Sequence, residues 1–108
     1  MAKGYWIAHI DVTDHEGYKA YMDADMAAFG KYGGRFLVRG GAFEVAEGTC
    51  RSRSVVIEFP AYATALACYH SPEYQAAAAL RRGRAHFDLI IIEGHDGPQP
   101  EATAGPAA

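Results

Sequence analysis

The stretch Tyr69-His70-Ser71-Pro72-Glu73-Tyr74 ends one helical pattern and begins another, and its reading decides the fold. Upstream, Tyr62, Leu66 and Tyr69 recur at helical spacing over residues 61–70, and downstream an alanine-rich run to Arg82 has high intrinsic helix propensity. Ser71 is a favoured N-cap, its hydroxyl able to accept from a backbone N–H one turn on, and Pro72 suits the first helical position, where no N–H is needed. The break gathers His70, Tyr69 and Tyr74 at one corner.

Working outward, residues 5–12 are aromatic and β-branched and too short for a typical helix, so they read as a strand. Thr13-Asp14-His15-Glu16 matches the S/T-x-x-E capping box and predicts a helix start. Tyr18, Met22, Met26, Phe29 and Tyr32 then form one apolar stripe, most simply core, and Gly33-Gly34 ends the helix by supplying φ > 0. Residues 35–39 and 54–59 read as strands, the second stopped by Pro60. Between them, Phe43 and Val45 alternate with polar residues and suggest a short extra hairpin strand. Residues 87–93, with Leu89-Ile90-Ile91-Ile92, read as a strand buried on both faces, central or covered. Residues 1–96 form the expected domain, and 97–108, with three prolines and two glycines, the expected disordered tail.

The order strand, helix, strand, strand, helix pair, strand is that of an α+β, ferredoxin-like βαββαβ fold, an antiparallel sheet with helices on one face. Strict alternation assigns Trp6, Ala8, Ile10, Phe36, Val38, Val55, Ile57 and Phe59 to the helix side. The other face takes Tyr5, Ile7, His9, Asp11, Arg35, Leu37, Arg39, Val56 and Glu58. That second set is too apolar for free exposure and too charged for a dry core, and suits a sheet-to-sheet homodimer interface. A chain of 108 residues also leaves apolar surface for a partner.

The formal charge of −3 and the lack of a basic run argue against nucleic acid. No stretch approaches the roughly 20 apolar residues of a membrane span, and no apolar leader follows Met1, so a cytoplasmic protein is expected. Cys50 and Cys68 have no CxxC spacing and read as free thiols, and the five histidines lack metal-ligand spacing, so neither metal nor cofactor is expected. Gly33-Gly34 and Gly40-Gly41 flank a strand instead of joining strand to helix, which removes a dinucleotide fingerprint.

The chain resembles the family known as domain of unknown function 1330, within the dimeric α+β barrel superfamily. The resemblance rests on Tyr5-Trp6-Ile7-Ala8 leading to Asp11-Val12-Thr13-Asp14, on Tyr18 and Tyr21, and on the run from Lys31 to Gly41. It continues through Val56-Ile57-Glu58-Phe59-Pro60 and Tyr69-His70-Ser71-Pro72-Glu73-Tyr74-Gln75, so that it covers about residues 4 to 94. His15 and Cys68 stand where members often carry Pro and Trp, and His70 at a position that varies. The resemblance implies a homodimer whose two four-stranded sheets face each other as a barrel. Superfamily relatives include cofactor-free monooxygenases, haem-degrading enzymes, lactone isomerases and proteins without known activity. In several of the enzymes the cavity lies between sheet and helices, near the second helix.

Four residues are the candidates for catalysis. Arg39 and Glu58, on one face of neighbouring strands by alternation, read either as an oxyanion holder with its base or as an interface salt bridge. His9, two residues from Asp11, reads as half of an acid–base dyad or as a hydrogen-bonded seam residue. His70 reads as an acid–base group at the helix break or as a solvated histidine favoured by the helix C-terminus. Tyr69, Ser71, Tyr74 and Trp6 are candidate substrate-binding residues, with core packing and capping as the alternatives. The expectation is a homodimer with a small carbonyl or carboxylate ligand, either a cofactor-independent enzyme or a non-catalytic binding or structural dimer.

Overall fold

The computed structural model describes residues 1–101. The elements are β1 (Gly4–Val12), α1 (His15–Lys31), β2 (Arg35–Arg39), β3 (Arg53–Phe59), α2 (Tyr62–His70), α3 (Pro72–Arg81) and β4 (Ala85–Glu93). The four strands pair antiparallel in the order β2-β3-β1-β4, the ferredoxin-like α+β arrangement. The tail expected over 97–108 lies outside the described residues from 102 onward, and 97–101 form neither helix nor strand.

The corner that decides the fold is built as its residues dictate. The Ser71 hydroxyl accepts from the Tyr74 amide at 3.1 Å and donates to the Cys68 carbonyl at 2.6 Å, so it closes α2 and opens α3 with one side chain. Pro72 takes the first helical position, where its missing N–H costs nothing. Beneath this corner lies Trp6, whose ring meets those of Tyr74, Phe29, Phe59 and Tyr69 at centroid distances of 4.7, 5.2, 5.5 and 5.8 Å. Its indole N–H donates to the Ala65 carbonyl at 2.9 Å, which satisfies the one polar atom that such burial would strand.

Helix α1 departs from the sequence expectation in two ways. Its cap is Asp14, whose carboxylate accepts from the Gly17 amide at 3.1 Å; Thr13 stays in line with β1, its amide donating to the Arg84 carbonyl at 2.8 Å. Its buried face is Tyr18, Tyr21, Asp25, Ala28 and Phe29, whereas Met26 is 47% exposed. The helix is turned toward α3 because the Tyr21 and Tyr74 hydroxyls meet at 2.8 Å inside the core. Gly33 ends α1 with φ of 72°, as expected.

One strand expectation is corrected and another is narrowed, since β4 is not central. The segment around Phe43 and Val45 forms no strand, and both side chains are exposed. Strand β4 is an edge strand with one open face: Phe87, Leu89 and Ile91 face the helices, while Ile90 and Ile92 are 54% and 46% exposed. An apolar row therefore crosses the outer face of the sheet, with Ile7 paired to Val56 on one side and Ile90 on the other. Among the described residues no helix is long and apolar enough to cross a membrane.

Candidate functional site

A bulge in β2 decides where the charged residues go. Arg35 pairs with Glu58 and Phe36 with Ile57, but Val38 pairs with Val56 and Arg39 with Val55, leaving Leu37 as an additional residue in the strand. Each side chain after the bulge changes face. Val38, expected among the core residues, is therefore exposed on the outer face, and Arg39 turns to the helix side, its guanidinium 4.3 Å above the Phe36 ring and within 3.9 Å of the Met26 sulfur. Arg39 and Glu58 consequently lie on opposite faces of the sheet. Their expected pairing is excluded by the register; Glu58 instead accepts from Tyr5 Oη at 3.2 Å and from Lys3 Nζ at 3.4 Å.

Turned inward, Arg39 joins a cavity between the sheet and α1. Its polar lining is Asp25, Arg39, Arg53, Tyr18 and Tyr21, set among Trp6, Phe36 and other core side chains. Asp25 is 6% exposed and its Oδ1 has no hydrogen-bond partner among the described residues; Arg53 Nε is likewise buried and without one among them. Such orphaned groups are rare in well-packed interiors because each forfeits its hydration. Burial pushes the Asp25 carboxyl up to about 7, and the nearby Arg39 and Arg53 only moderate this. Burial also raises the Tyr18 phenol to about 12 and that of Tyr21 well above its ordinary value, so both stay neutral hydrogen-bonding groups. Arg53 owes its position to Gly40, which has φ of 67° and where a Cβ would collide with the guanidinium. The enclosed space is about 30 Å³, enough for a water or two.

The remaining candidates lie elsewhere. His9 does not form a dyad with Asp11: its Nδ1 meets Ser54 Oγ at 2.9 Å and Cys50 Sγ at 3.6 Å on the outer face. Asp11 accepts from the Ser52 amide at 2.8 Å and from Arg51 at 2.9 Å, contacts that lower its carboxyl, the Ser52 amide most. His70 is exposed at the end of α2, its ring edge-on to Tyr69 at 5.2 Å. Ser71 is buried with its hydroxyl fully used in capping, which leaves it nothing for a ligand. Tyr74 is wholly buried, bonded to Tyr21 and 3.4 Å from Arg81 Nη2, and Tyr69 packs on Trp6 and Tyr74. Trp6 lines the cavity, although its N–H is committed to Ala65. Among the described residues no three His, Cys, Asp or Glu side chains gather as a metal site would need.

The family described as Domain of unknown function (DUF1330) matches residues 3–95. The chain belongs to this family. Among solved structures, a protein of unknown function from Rhodopseudomonas palustris is similar at 17% identity, with 92% of this chain and 85% of that one covered and a TM-score of 0.70. The cofactor-independent oxygenase SnoaB from Streptomyces nogalater is similar at 12% identity, with coverages of 94% and 100% and a TM-score of 0.60. A conserved protein of unknown function from Bacteroides thetaiotaomicron, described as a possible oxidoreductase, is similar at 11% identity, with coverages of 85% and 97% and a TM-score of 0.55. At these identities the likeness is one of fold. No curated protein matches the chain.

Within this DUF1330 chain, the residues that sequence reasoning missed are Asp25 and Arg53. The signal for Asp25 was available: Tyr18, Tyr21, Asp25, Ala28 and Phe29 follow helical spacing, so an acid stands in phase with a buried face. The set can hold a small anion between two guanidiniums and move a proton on a carboxyl that changes charge near neutrality.

Proposed function

We propose that this chain is a homodimeric acid–base protein whose interior site, between sheet and α1, takes a small carbonyl or carboxylate metabolite without an added cofactor. Asp25 removes a proton from the carbon next to the carbonyl, and Arg39 and Arg53 hold the oxygen on which negative charge develops. Tyr18 supplies a neutral donor beside them. The observation that carries this reading is the pair of partnerless buried atoms, Asp25 Oδ1 and Arg53 Nε, in residues that line one cavity. A ligand needs more than the present void, and Met22, a flexible side chain in the lining, and the exposed Arg39 are the groups that move to admit it. The likeness in fold to a cofactor-independent oxygenase is compatible with such chemistry. Dimerisation through the outer face covers the row around Ile7, Ile90 and Ile92 and leaves this interior site untouched.

Proton exchange tests the reading directly. Small 2-oxo acids and 1,3-diketones are incubated with wild type and Asp25→Asn in D2O, and loss of the C–H signal next to the carbonyl is followed by NMR. Wild type is expected to exceed the variant by about a hundredfold or more on an accepted compound. Equal rates across the panel remove Asp25 from catalysis. The small enclosed volume favours the second reading, a non-catalytic dimer, and that reading gains if no compound in the panel shifts the melting temperature of wild type.

A further inference from the structure

We propose that a groove between the α2–α3 corner and the helix-facing side of β4 is a second binding site, for an organic oxyanion carried on a flat apolar body. The groove encloses about 490 Å³, within the range of small-molecule sites, whereas the interior void holds a water or two. Two guanidiniums, Arg81 and Arg82, and the imidazole of His70 line it together with the Tyr69 ring, and among the described residues no carboxylate does, in a chain whose formal charge is −3. Lys3, Lys31, Arg51 and Arg84 each meet an acid within 4 Å; among the described residues Arg81 and Arg82, like Lys19, Arg35, Arg39 and Arg53, form no ion pair, and Arg81 and Arg82 stand together in this groove. Arg82 has only the Gln75 amide oxygen at 3.3 Å. Arg81 lies 4.0 Å above the Phe87 ring and 3.4 Å from Tyr74 Oη, and its Nε is buried without a partner.

These features assign a division of labour. The planar guanidiniums match a carboxylate or phosphate through paired N–H donors, and His70, in the last turn of α2, adds a third ring-nitrogen contact. The apolar body lies along Phe87, Leu89 and Ile91, which form the floor, with Tyr69 at its end. Phe87 and Leu89 also line the interior cavity, so a common wall separates two sites. Association through the outer face of the sheet leaves this groove open, since it lies on the helix side.

The test is an amide-detected NMR titration of the full chain with sodium benzoate, its uncharged analogue benzamide, and phenyl phosphate. At least one anion is expected to give saturable perturbations at residues 69–70, 81–82 and 87–91, and benzamide none there. The tighter of the two anions identifies the ligand class as carboxylate or phosphate. Arg82 is exposed, so Arg82→Gln keeps the fold, and it is expected to weaken binding about tenfold; His70→Gln weakens it less. Asp25→Asn, which disables the interior site, is expected to leave the titration unchanged, so failure of the interior reading does not touch this one. The proposal is overturned if neither anion saturates, if benzamide matches them, if Arg82→Gln titrates like wild type, or if Asp25→Asn abolishes the response.

Discussion

Replacing Asp25 with Asn should make the protein more stable at alkaline pH and flatten a pH dependence that the wild type carries. The folded-state carboxyl is raised from 3.8 to about 7, chiefly by burial. A raised acid favours the folded state only while protonated, so its contribution is whole below about pH 4 and is lost as pH rises through about 7. The shift of roughly three units, at ~1.36 kcal/mol each, sets a ceiling of ~4 kcal/mol. Arg39 and Arg53 are already included in that shift, and water reaching the cavity lowers the figure toward ~2 kcal/mol. Asn has the shape of the protonated acid, so the two proteins should match near pH 4 and diverge above it. By pH 8 the variant should lead by ~2–4 kcal/mol, on the order of 10 °C in Tm for a chain of this size. The assay is urea or thermal unfolding from pH 4 to 9 at one fixed protomer concentration, because self-association adds to apparent stability. The difference between the two profiles is the quantity to read, since Asp11 and Glu73, whose carboxyls are lowered, slope the opposite way in both proteins and cancel. Parallel profiles across that range would refute the reasoning, and so would a variant that loses stability at pH 8.

Three further outcomes follow from the same geometry. Ile90→Lys places a charge in the middle of the apolar row on the outer face, and sedimentation at micromolar concentration is expected to find a folded monomer for the variant and a dimer for the wild type; a monomeric wild type would refute the proposed association. Ser71→Ala removes the shared cap of α2 and α3 and should cost ~1–2 kcal/mol in denaturant unfolding, at unchanged m-value. Gly40→Ala both strains a left-handed position and displaces Arg53; it should destabilise by more than ~1 kcal/mol and move the Asp25 titration, followed by carboxyl-carbon NMR, further upward because a moderating cation withdraws.

What the sequence made legible was whatever depends on local chemistry. Ser71-Pro72 reads as a helix junction because capping and the missing proline N–H act within one turn, and that junction, with the strand pattern, specified the ferredoxin-like order. The phase of α1 was less legible. Met22 and Met26 are as apolar as Tyr21 and Ala28, and only the cross-helix bond from Tyr21 to Tyr74 chooses which line turns inward. The same choice brings Asp25 into the core, so the acid was hidden by the reading of the stripe. Strand β4 was legible in part: its run Leu89-Ile90-Ile91-Ile92 reads as central or covered, and the pairing order removes the first alternative, placing Ile90 and Ile92 on the open outer face of an edge strand.

The bulge at Leu37 was beyond reach of alternation, and it is the feature on which the chemistry turns. Period-two reasoning assumes an uninterrupted strand, and one additional residue reverses the face of every side chain beyond it. Had β2 continued regularly from the Arg35–Glu58 pair, Arg39 would stand on the outer face opposite Ser54, and the interior would hold Val38, an apolar lining around a buried acid. With the bulge, Val38 joins the apolar outer face, the surface through which self-association is proposed, and Arg39 faces the acid across the cavity. Both changes run in the same direction, moving charge out of the outer face and into the site. Glu58 keeps only Lys3 and Tyr5, contacts made within its own chain, so the outer face can be covered without leaving that carboxylate alone. The bulge therefore separates the surface suited to association from the cavity suited to chemistry. Deleting Leu37 removes only the additional residue and keeps the pairs Val38–Val56 and Arg39–Val55, so Arg39 should stay on the helix side; an unchanged Asp25 titration midpoint by carboxyl-carbon NMR is the expected outcome, and an upward shift would refute this account of the bulge.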